Sequence, residues 1–173
     1  FVTSRLALRT LSVQFTNGEC VDPVVQHDAN GAPVLVDEVG LSDVTVSISH
    51  TKNAALVALG RGRFGVDIES IRPREERWAR AFLSLGELKE MGEMIARMDV
   101  NPDVLLTTWW SAKEAYLKAT REGLYTHPGE ITCAFEWQNA TFTIRRAGKI
   151  VGQGVFYRGD DRHSTTLAVH TGS

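Results

Sequence analysis

The chain has 173 residues, 43% of them hydrophobic, and a formal net charge of −2 at pH 7. This length suits one domain with a sizeable core. The slightly acidic balance, without a dominant basic stripe, argues against nucleic acid as the main partner. No signal peptide, lipidation motif or membrane-length apolar run is visible, so we expect a cytoplasmic protein that does not contact membranes.

The first third of the chain mixes one helix with short strands. Apolar residues recur from Ser4 to about Phe15, which predicts a helix that ends at the turn-forming pair Asn17-Gly18. Alternating or apolar runs bounded by turn residues predict the following strands. They lie near 21–27, 44–49, 54–59 and 64–68.

The middle of the chain is predicted to be helical and the tail to be β-rich. Helices are expected at Glu75–Phe82, Leu85–Met98 and Leu105–Ala119. Ser84 followed three residues later by Glu87 is typical of a helix start, and Pro102 suits the start of the third helix. In the tail, turn residues separate four predicted strands, at 130–136, 141–146, 150–157 and 165–170.

The two cysteines, Cys20 and Cys133, lie far apart in the chain. Neither belongs to a C-x-x-C pair, and no histidines stand nearby at the spacing of a zinc site. We therefore predict that both thiols are reduced and structural, which is consistent with the cytoplasm.

The segment Gly65-Val66-Asp67-Ile68-Glu69 is the most informative about chemistry. On a strand, Asp67 and Glu69 project from one face, and the apolar residues beside them project from the other face into a core. Carboxylate oxygens on one face suit Mg²⁺, which commonly shares its coordination shell with substrate phosphates. Taken alone, a D-x-E sequence after a glycine is more often the solvated face of an edge strand.

A second segment, Trp110 to Lys118 on the third predicted helix of the middle region, adds a third carboxylate. Glu114 and Lys118 are one helical turn apart and share a face. As an isolated pair they would form an ordinary surface ion pair worth about 0.3–0.5 kcal/mol. Trp110 is expected to pack in the core and hold this helix in place.

A third segment, 46–50, is an alternating strand that ends in Ser49 and His50. At the start of a loop these side chains would be suited to contacting a phosphate. No G-x-S-x-G elbow accompanies them, so a hydrolase nucleophile is not indicated.

In this order, the three segments resemble the motifs of the Sfp-type 4′-phosphopantetheinyl transferases. That pattern is a serine-histidine segment, then (I/V)-G-(I/V)-D-x-E, then W-(S/A)-x-K-E-(A/S)-x-x-K. The resemblance covers nearly the whole chain, including Arg9, Asn30-Gly31-Ala32-Pro33, and 81–84 with Glu87. It implies an α+β fold with two similar β-rich lobes, about 1–62 and 63–173, with helices packed on the sheets and the site between the lobes.

The resemblance also implies the reaction. Such enzymes move the phosphopantetheine arm of coenzyme A onto a serine of an acyl or peptidyl carrier protein and release adenosine 3′,5′-bisphosphate. The implied Mg²⁺ ligands are Asp67, Glu69 and Glu114. The implied coenzyme A contacts are Arg9, Ser49, His50, Lys113 and Lys118. Among these residues, Asp67, Glu114 and Lys118 are the catalytic candidates, and Glu114 is the candidate base as well as a metal ligand.

Two departures from the family pattern concern coenzyme A binding. Ala32 stands between Gly31 and Pro33, where the family often has a lysine or arginine, so other cations would have to hold the nucleotide. The candidates are Arg5, Lys52 and Arg61. The family's further basic residues before the first helix are also missing. We therefore expect either an excised C-terminal domain of a large polyketide-type synthase, acting on that synthase's own carrier domain, or a freestanding enzyme.

Three further interpretations concern partners and rival functions. Four arginines after the D-x-E strand are a candidate contact for an acidic carrier protein, with a solvated helix face as the alternative; they are Arg72, Arg74, Arg77 and Arg80. Because the Ser-His strand precedes the D-x-E strand in the same chain, we expect a monomer. The rival functions are an inactive domain that only docks carrier protein or coenzyme A, and an unrelated Mg²⁺-dependent phosphohydrolase.

Overall fold

The structure is a computed structural model that describes residues 2–19, 22–36, 41, 43–122, 125–160 and 162–170. Its helices are α1 (Val2–Phe15), α2 (Glu76–Phe82), α3 (Leu85–Met98) and α4 (Pro102–Thr120). Its strands are β1 (Val25–His27), β2 (Pro33–Leu35), β3 (Val44–His50), β4 (Ala55–Arg61), β5 (Phe64–Ser70), β6 (Ile131–Glu136), β7 (Thr141–Arg146), β8 (Lys149–Asp160) and β9 (His163–His170). The predicted α+β class is confirmed.

A five-stranded antiparallel sheet with the order β5-β9-β8-β7-β6 forms the centre of the fold. In the sequence, β5 is the first strand of this sheet and β9 is the last, and these two strands are paired. The helices α2, α3 and α4 lie between them in the chain. The helix α4 packs across β5 and β9. Outside this sheet, β1 pairs with β2 and β3 pairs with β4.

The long helix α4 is the central element of the core. The side chain of Asn101 caps its start by accepting a hydrogen bond from the backbone N–H of Asp103 at 2.9 Å. Trp109 and Tyr116 belong to the main buried cluster, together with Phe142 of β7. A helix buried on most sides carries few charges, and two of the buried polar residues of α4, Thr108 and Ser111, find partners on β9.

Two hydroxyl pairs connect α4 to β9. Thr108 Oγ1 lies 3.0 Å from Ser164 Oγ, and Ser111 Oγ lies 2.9 Å from Thr166 Oγ1. All four residues are buried. Buried hydroxyls are costly unless they are hydrogen-bonded, so these pairs fix the position of the helix along the strand.

Gly65 explains how β5 can approach α4 so closely. A Cβ atom at this position would lie 2.6 Å from the backbone nitrogen of Ala119 and still closer to the backbone oxygen of Ala115. Only glycine fits there without displacing the helix. Because side chains alternate along a strand, the same close face carries Asp67 and Glu69 toward α4.

We expect Gly65→Ala to destabilise the fold by about 1–3 kcal/mol, because the added methyl group meets helix backbone that cannot move aside. Gly92→Ala is the matched control. Gly92 lies within α3, with no atom within 4 Å of an added Cβ, so alanine there should stabilise by about 0.5–1 kcal/mol. Urea unfolding measures both changes, and a Gly65→Ala variant as stable as Gly92→Ala would contradict the close contact.

The first part of the chain joins the second through serine side chains of β3. Ser47 Oγ accepts a hydrogen bond from the backbone N–H of Val66 at 3.0 Å, and Ser49 Oγ donates to Asp67 Oδ1 at 2.8 Å. Among the described residues, the part before residue 63 carries one α-helix and two two-stranded sheets, whereas the part after it carries three α-helices, a short 3-10 helix (Pro128–Glu130) and the five-stranded sheet. The predicted similarity of two lobes, and a boundary near residue 62, stay predictions.

Most predicted elements are present, and β2 is the described strand that the sequence pattern missed. Cys133 is a free, buried thiol, and its burial raises its pKa; Cys20 lies outside the described residues. In the part of the chain that the structure describes, none of the helices combines the length and apolar character needed to span a bilayer.

Candidate functional site

Asp67 lies at the junction of β3, β5 and α4. Its side chain is buried, and its Oδ1 atom accepts hydrogen bonds from Ser49 Oγ at 2.8 Å and from Lys118 Nζ at 2.7 Å. Its second oxygen, Oδ2, is buried and has no hydrogen-bond partner among the described residues. A buried carboxylate oxygen without a donor is costly, so this atom is suited to accept a cation or a donor from a ligand.

Glu114 and Lys118 of α4 face Asp67 from one side of the helix. Burial raises the pKa of Glu114, and the negative charges of Asp67 and Glu69 raise it further, while Lys118 opposes the shift. Burial also raises the pKa of Glu69, with Asp67 as the next cause. The three carboxylates are therefore electrostatic neighbours, and one lysine amine forms an ion pair with the group.

Glu69 is partly exposed and has its own donors. The indole Nε1 of Trp110 donates to Glu69 Oε1 at 3.1 Å. Trp110 also packs against Trp78 and Phe82, with ring centroids 5.1 and 5.0 Å away. The expected packing role of Trp110 is therefore accompanied by a polar contact with a candidate metal ligand.

The carboxylates do not converge as a finished metal centre in this arrangement. Among the described side chains, no three histidine, cysteine, aspartate or glutamate residues lie close enough together to hold a metal ion. The residue types nevertheless fit a divalent cation. Three mutually repelling carboxylates outnumber the two cations paired with them, Lys118 and Arg74, and Asp67 Oδ2 has no donor among the described residues.

A cavity of about 570 Å³ opens beside these residues. Its walls are the loop 30–33, the first half of β3 and the C-terminal part of α4. Among the residues that line the cavity, Glu114 carries a carboxylate, and Arg63, Lys118 and Arg121 carry positive charges. Mostly apolar walls with a net positive lining suit an organic ligand that carries phosphate groups.

Hydrogen bonds tie the loop 30–33 to the end of α4. Asp28 Oδ1 accepts from the backbone N–H groups of Asn30 and Ala32, both at 2.9 Å, and Asp28 Oδ2 lies 3.5 Å from the guanidinium of Arg121. The side-chain amide of Asn30 donates to the backbone oxygen of Arg121 at 3.4 Å. The cavity wall is thus held by contacts within the chain.

Residues 63–168 match the family model of the 4′-phosphopantetheinyl transferase superfamily. The chain belongs to this superfamily. The matched region begins at the arginine before β5, contains both α4 and the D-x-E strand, and ends within β9.

Three relatives show how far the similarity to other transferases extends. The 4′-phosphopantetheinyl transferase HetI of Nostoc sp. is 29% identical over 127 residues, 72% of this chain and 52% of HetI. A Synechocystis sp. protein, slr0495, provisionally named for the same activity, is 30% identical over 129 residues, 72% of this chain and 50% of its own. The 4′-phosphopantetheinyl transferase AcpT of Escherichia coli is 36% identical over 102 residues, 56% of this chain and 48% of AcpT. The chain spans about half the length of these curated relatives.

The structure brings together five of the predicted transferase site residues. These are Ser49, Asp67, Glu69, Glu114 and Lys118. His50 is exposed at the end of β3. Because neighbouring residues of a strand face opposite sides, Ser49 alone of the Ser-His pair reaches Asp67. Arg9 lies on α1 in an exposed ion pair with Asp22 at 3.6 Å and does not line the cavity beside Lys118.

The structure does not bring Lys113 to the carboxylates or to the cavity, which corrects the expected phosphate contact. Its side chain is fully buried, and Nζ donates to Phe82 O at 2.7 Å, to Glu87 Oε2 at 3.0 Å and to Ile131 O at 2.8 Å. Adjacent residues on a helix point about 100° apart, so Lys113 cannot share the direction of Glu114. Lys113 instead holds α4 to the end of α2, the start of α3 and β6.

The cations expected to compensate for Ala32 also lie elsewhere. Arg61 pairs with Asp43 at 2.8 Å, and neither Lys52 nor Arg5 lines the cavity. Arg63 and Arg121 line it instead, and the motif pattern missed both. Arg63 donates to the backbone oxygen of Thr120 at 3.2 Å, and Arg121 is the C-cap residue that follows α4. Arg63 and Arg121 are far apart in the sequence, and the packing of β5 against α4 brings them to the same cavity.

The candidate carrier-contact cluster, which spans α2 and the segment just before it, is largely paired within the chain. Arg80 pairs with Glu76 at 2.6 Å, and Arg77 pairs with Glu75. These exposed pairs are what a solvated helix face would show, so a role in carrier binding stays a prediction.

Proposed function

We propose that this chain transfers the 4′-phosphopantetheine arm of coenzyme A to a serine hydroxyl of an apo acyl or peptidyl carrier protein. The products are holo carrier protein and adenosine 3′,5′-bisphosphate. The observation that carries the proposal is that Glu114 and Lys118 line the cavity while Lys118 also binds Asp67 of the D-x-E strand. Membership of the superfamily and the names of the relatives support the same activity.

Asp67, Glu69 and Glu114 would hold Mg²⁺, and the buried Oδ2 atom of Asp67, which has no donor in the described part of the chain, supports this assignment. When bound, the ion supplies charge neutralisation on the pyrophosphate oxygens. Lys118 lies one turn from Glu114 and is partly exposed, with its ammonium beside Asp67. It is placed to share its charge between Asp67 and a phosphate oxygen.

Glu114 is the proposed base for the carrier serine. A raised pKa makes its carboxylate a better proton acceptor near neutral pH. The serine oxygen would form a bond to the phosphorus that carries the pantetheine arm, while the bond from that phosphorus to the bridging oxygen breaks. The serine proton passes to Glu114, and the electron pair leaves with adenosine 3′,5′-bisphosphate. Glu114 acting only as a metal ligand remains the alternative.

The cavity is the proposed nucleotide site, with Arg63, Lys118 and Arg121 as the cations that face its phosphates. We further propose, from the resemblance, that the protein works in the cytoplasm and that one chain supplies the whole site. A carrier domain of a parent polyketide, fatty acid or peptide synthase is the proposed substrate.

Arg121 offers a clean test of the nucleotide site because its backbone adopts φ 60° at the end of α4. Asparagine tolerates this conformation better than most residues, so Arg121→Asn should fold normally and lose the guanidinium together with its 3.5 Å ion pair to Asp28. We expect the KM for coenzyme A to rise about tenfold with little change in kcat, as for loss of a charge-assisted hydrogen bond. Arg61→Gln, which removes an arginine outside the cavity, is the control. Equal KM values for the two variants would contradict the assignment.

The reaction is tested by following adenosine 3′,5′-bisphosphate release by chromatography. We expect release only when coenzyme A, apo carrier protein and Mg²⁺ are all present. Inorganic phosphate released from nucleotides without a carrier would favour the phosphohydrolase, and coenzyme A binding without turnover would favour the docking domain.

A further inference from the structure

Glu69 is held by side chains that the proposed reaction does not use. Its Oε2 atom forms an ion pair with the guanidinium of Arg74, with 3.6 Å between the atoms, while Trp110 occupies Oε1 at 3.1 Å. The side chain of Arg74 is only 13% exposed and that of Glu69 is 29% exposed. A contact so shielded from water is screened less than an ordinary surface pair.

Arg74 is fixed in this place by an aromatic surface. Its guanidinium stacks over the ring of Trp78 at 4.0 Å from the centroid. Trp78 in turn packs on Trp110 and on Phe82, with centroid distances of 5.1 and 4.8 Å. The same cluster therefore positions both groups that contact Glu69. The buried Nε of Arg74 has no hydrogen-bond partner among the described residues, so stacking and charge, with no bond from Nε, determine where it lies.

Glu69 therefore already has partners of its own, apart from Asp67 and Glu114. Both oxygens of Glu69 already face N–H groups, and no three-residue metal cluster is formed among the described side chains. A divalent ion that takes Glu69 as a ligand has to displace, or share the carboxylate with, Arg74.

We propose that Arg74 is the resident counter-ion of Glu69 and competes with a divalent metal for that carboxylate. The affinity of the protein for a divalent metal is therefore lower than the affinity that the three carboxylates would have without Arg74. This inference rests on the proposed function only in naming Glu69 as a metal ligand.

The test is a titration of the full chain with Mn²⁺, followed by electron paramagnetic resonance, with no coenzyme A or carrier protein present. We expect Arg74→Gln to bind Mn²⁺ roughly three- to fivefold more tightly than the wild type. This factor corresponds to the free energy of an ion pair at the upper end of the range measured for exposed pairs. Arg74→Lys, which restores the charge, should return most of the way to the wild-type affinity. Asp67→Asn should abolish binding and thereby identify the site.

Arg77→Gln is the matched control for loss of charge. Arg77 lies three residues after Arg74, is 84% exposed and pairs with Glu75. Removal of the Arg77 charge should therefore leave the Mn²⁺ affinity unchanged. Equal tightening in both variants would mean that net charge alone acts, and would overturn the proposal. So would an unchanged or weaker affinity in Arg74→Gln, or no Mn²⁺ binding by any variant.

Tryptophan fluorescence gives a second readout from the same samples. Mn²⁺ that draws Glu69 away removes the partner of the Trp110 indole, so the wild-type emission should shift on titration, at lower metal concentration in Arg74→Gln. The titrations need no transfer activity. If the protein transfers phosphopantetheine but the wild type and Arg74→Gln bind Mn²⁺ equally, only the proposed role of Arg74 is wrong. If Arg74→Gln binds Mn²⁺ more tightly than the wild type but the protein transfers nothing, the role of Arg74 still holds.

Discussion

Glu114→Gln is expected to abolish phosphopantetheine transfer while the protein stays folded. Glutamine keeps the size of the side chain but removes both the proton acceptor and one anionic metal ligand. Loss of a positioned general base alone lowers a rate by about 10²–10⁴-fold, and loss of a ligand adds to this. Folding should be preserved because the change removes both the burial of a charge and the repulsion from Asp67 and Glu69, the causes that raise the pKa of Glu114.

The measurement is the rate of holo carrier formation, with circular dichroism and urea unfolding as checks of folding. Glu93→Gln is the matched control, because Glu93 is a half-exposed residue of α3 in surface ion pairs at 3.9 Å. It should transfer at the wild-type rate. Wild-type turnover by Glu114→Gln would remove Glu114 from both proposed roles.

Lys113→Met is expected to destabilise the fold by about 3–5 kcal/mol, the cost of leaving one member of a buried ion pair without its partner. Glu87 is 3% exposed and would remain buried. It also accepts hydrogen bonds from the backbone N–H groups of Cys133 at 2.8 Å and Ser84 at 2.8 Å. The carboxylate is therefore tied in place and cannot turn to water when its lysine is lost.

Urea unfolding of three variants separates this role from a phosphate contact. Lys89→Met, on the exposed surface of α3, should change stability by less than about 0.5 kcal/mol. The double variant Lys113→Met with Glu87→Gln should recover part of the loss, since no unpaired charge remains. If Lys113→Met is as stable as the wild type and instead raises the KM for coenzyme A, the buried role is wrong.

The sequence pattern predicts much of the fold because its signals are local. The Ser84 and Glu87 pair forms the capping box that the spacing indicated, with both reciprocal hydrogen bonds present. The D-x-E alternation places Asp67 and Glu69 on one strand face. The short strand β2 escaped prediction, since it is three residues long and opens on Pro33, which does not favour a strand interior.

The site was only partly predictable because its remaining contacts are long-range. Nothing local distinguishes Lys113, which lies in the core, from Lys118, which faces Asp67. Their directions follow from which side of α4 meets the sheet. Likewise Arg63 and Arg121 are separated by almost the length of the helical region, and Arg74 meets Glu69 only because Trp78 and Trp110 pack together.

We propose that Asp67, Glu69, Glu114 and Lys118 together form a metal-dependent phosphopantetheine transfer site. Intact-mass spectrometry tests it most directly, on apo acyl and peptidyl carrier proteins incubated with the chain, coenzyme A and Mg²⁺. We expect a phosphopantetheine-sized gain in mass on at least one carrier, lost with EDTA and lost in Glu114→Gln. A gain that persists with EDTA, or no gain on any carrier while coenzyme A still binds, would contradict it.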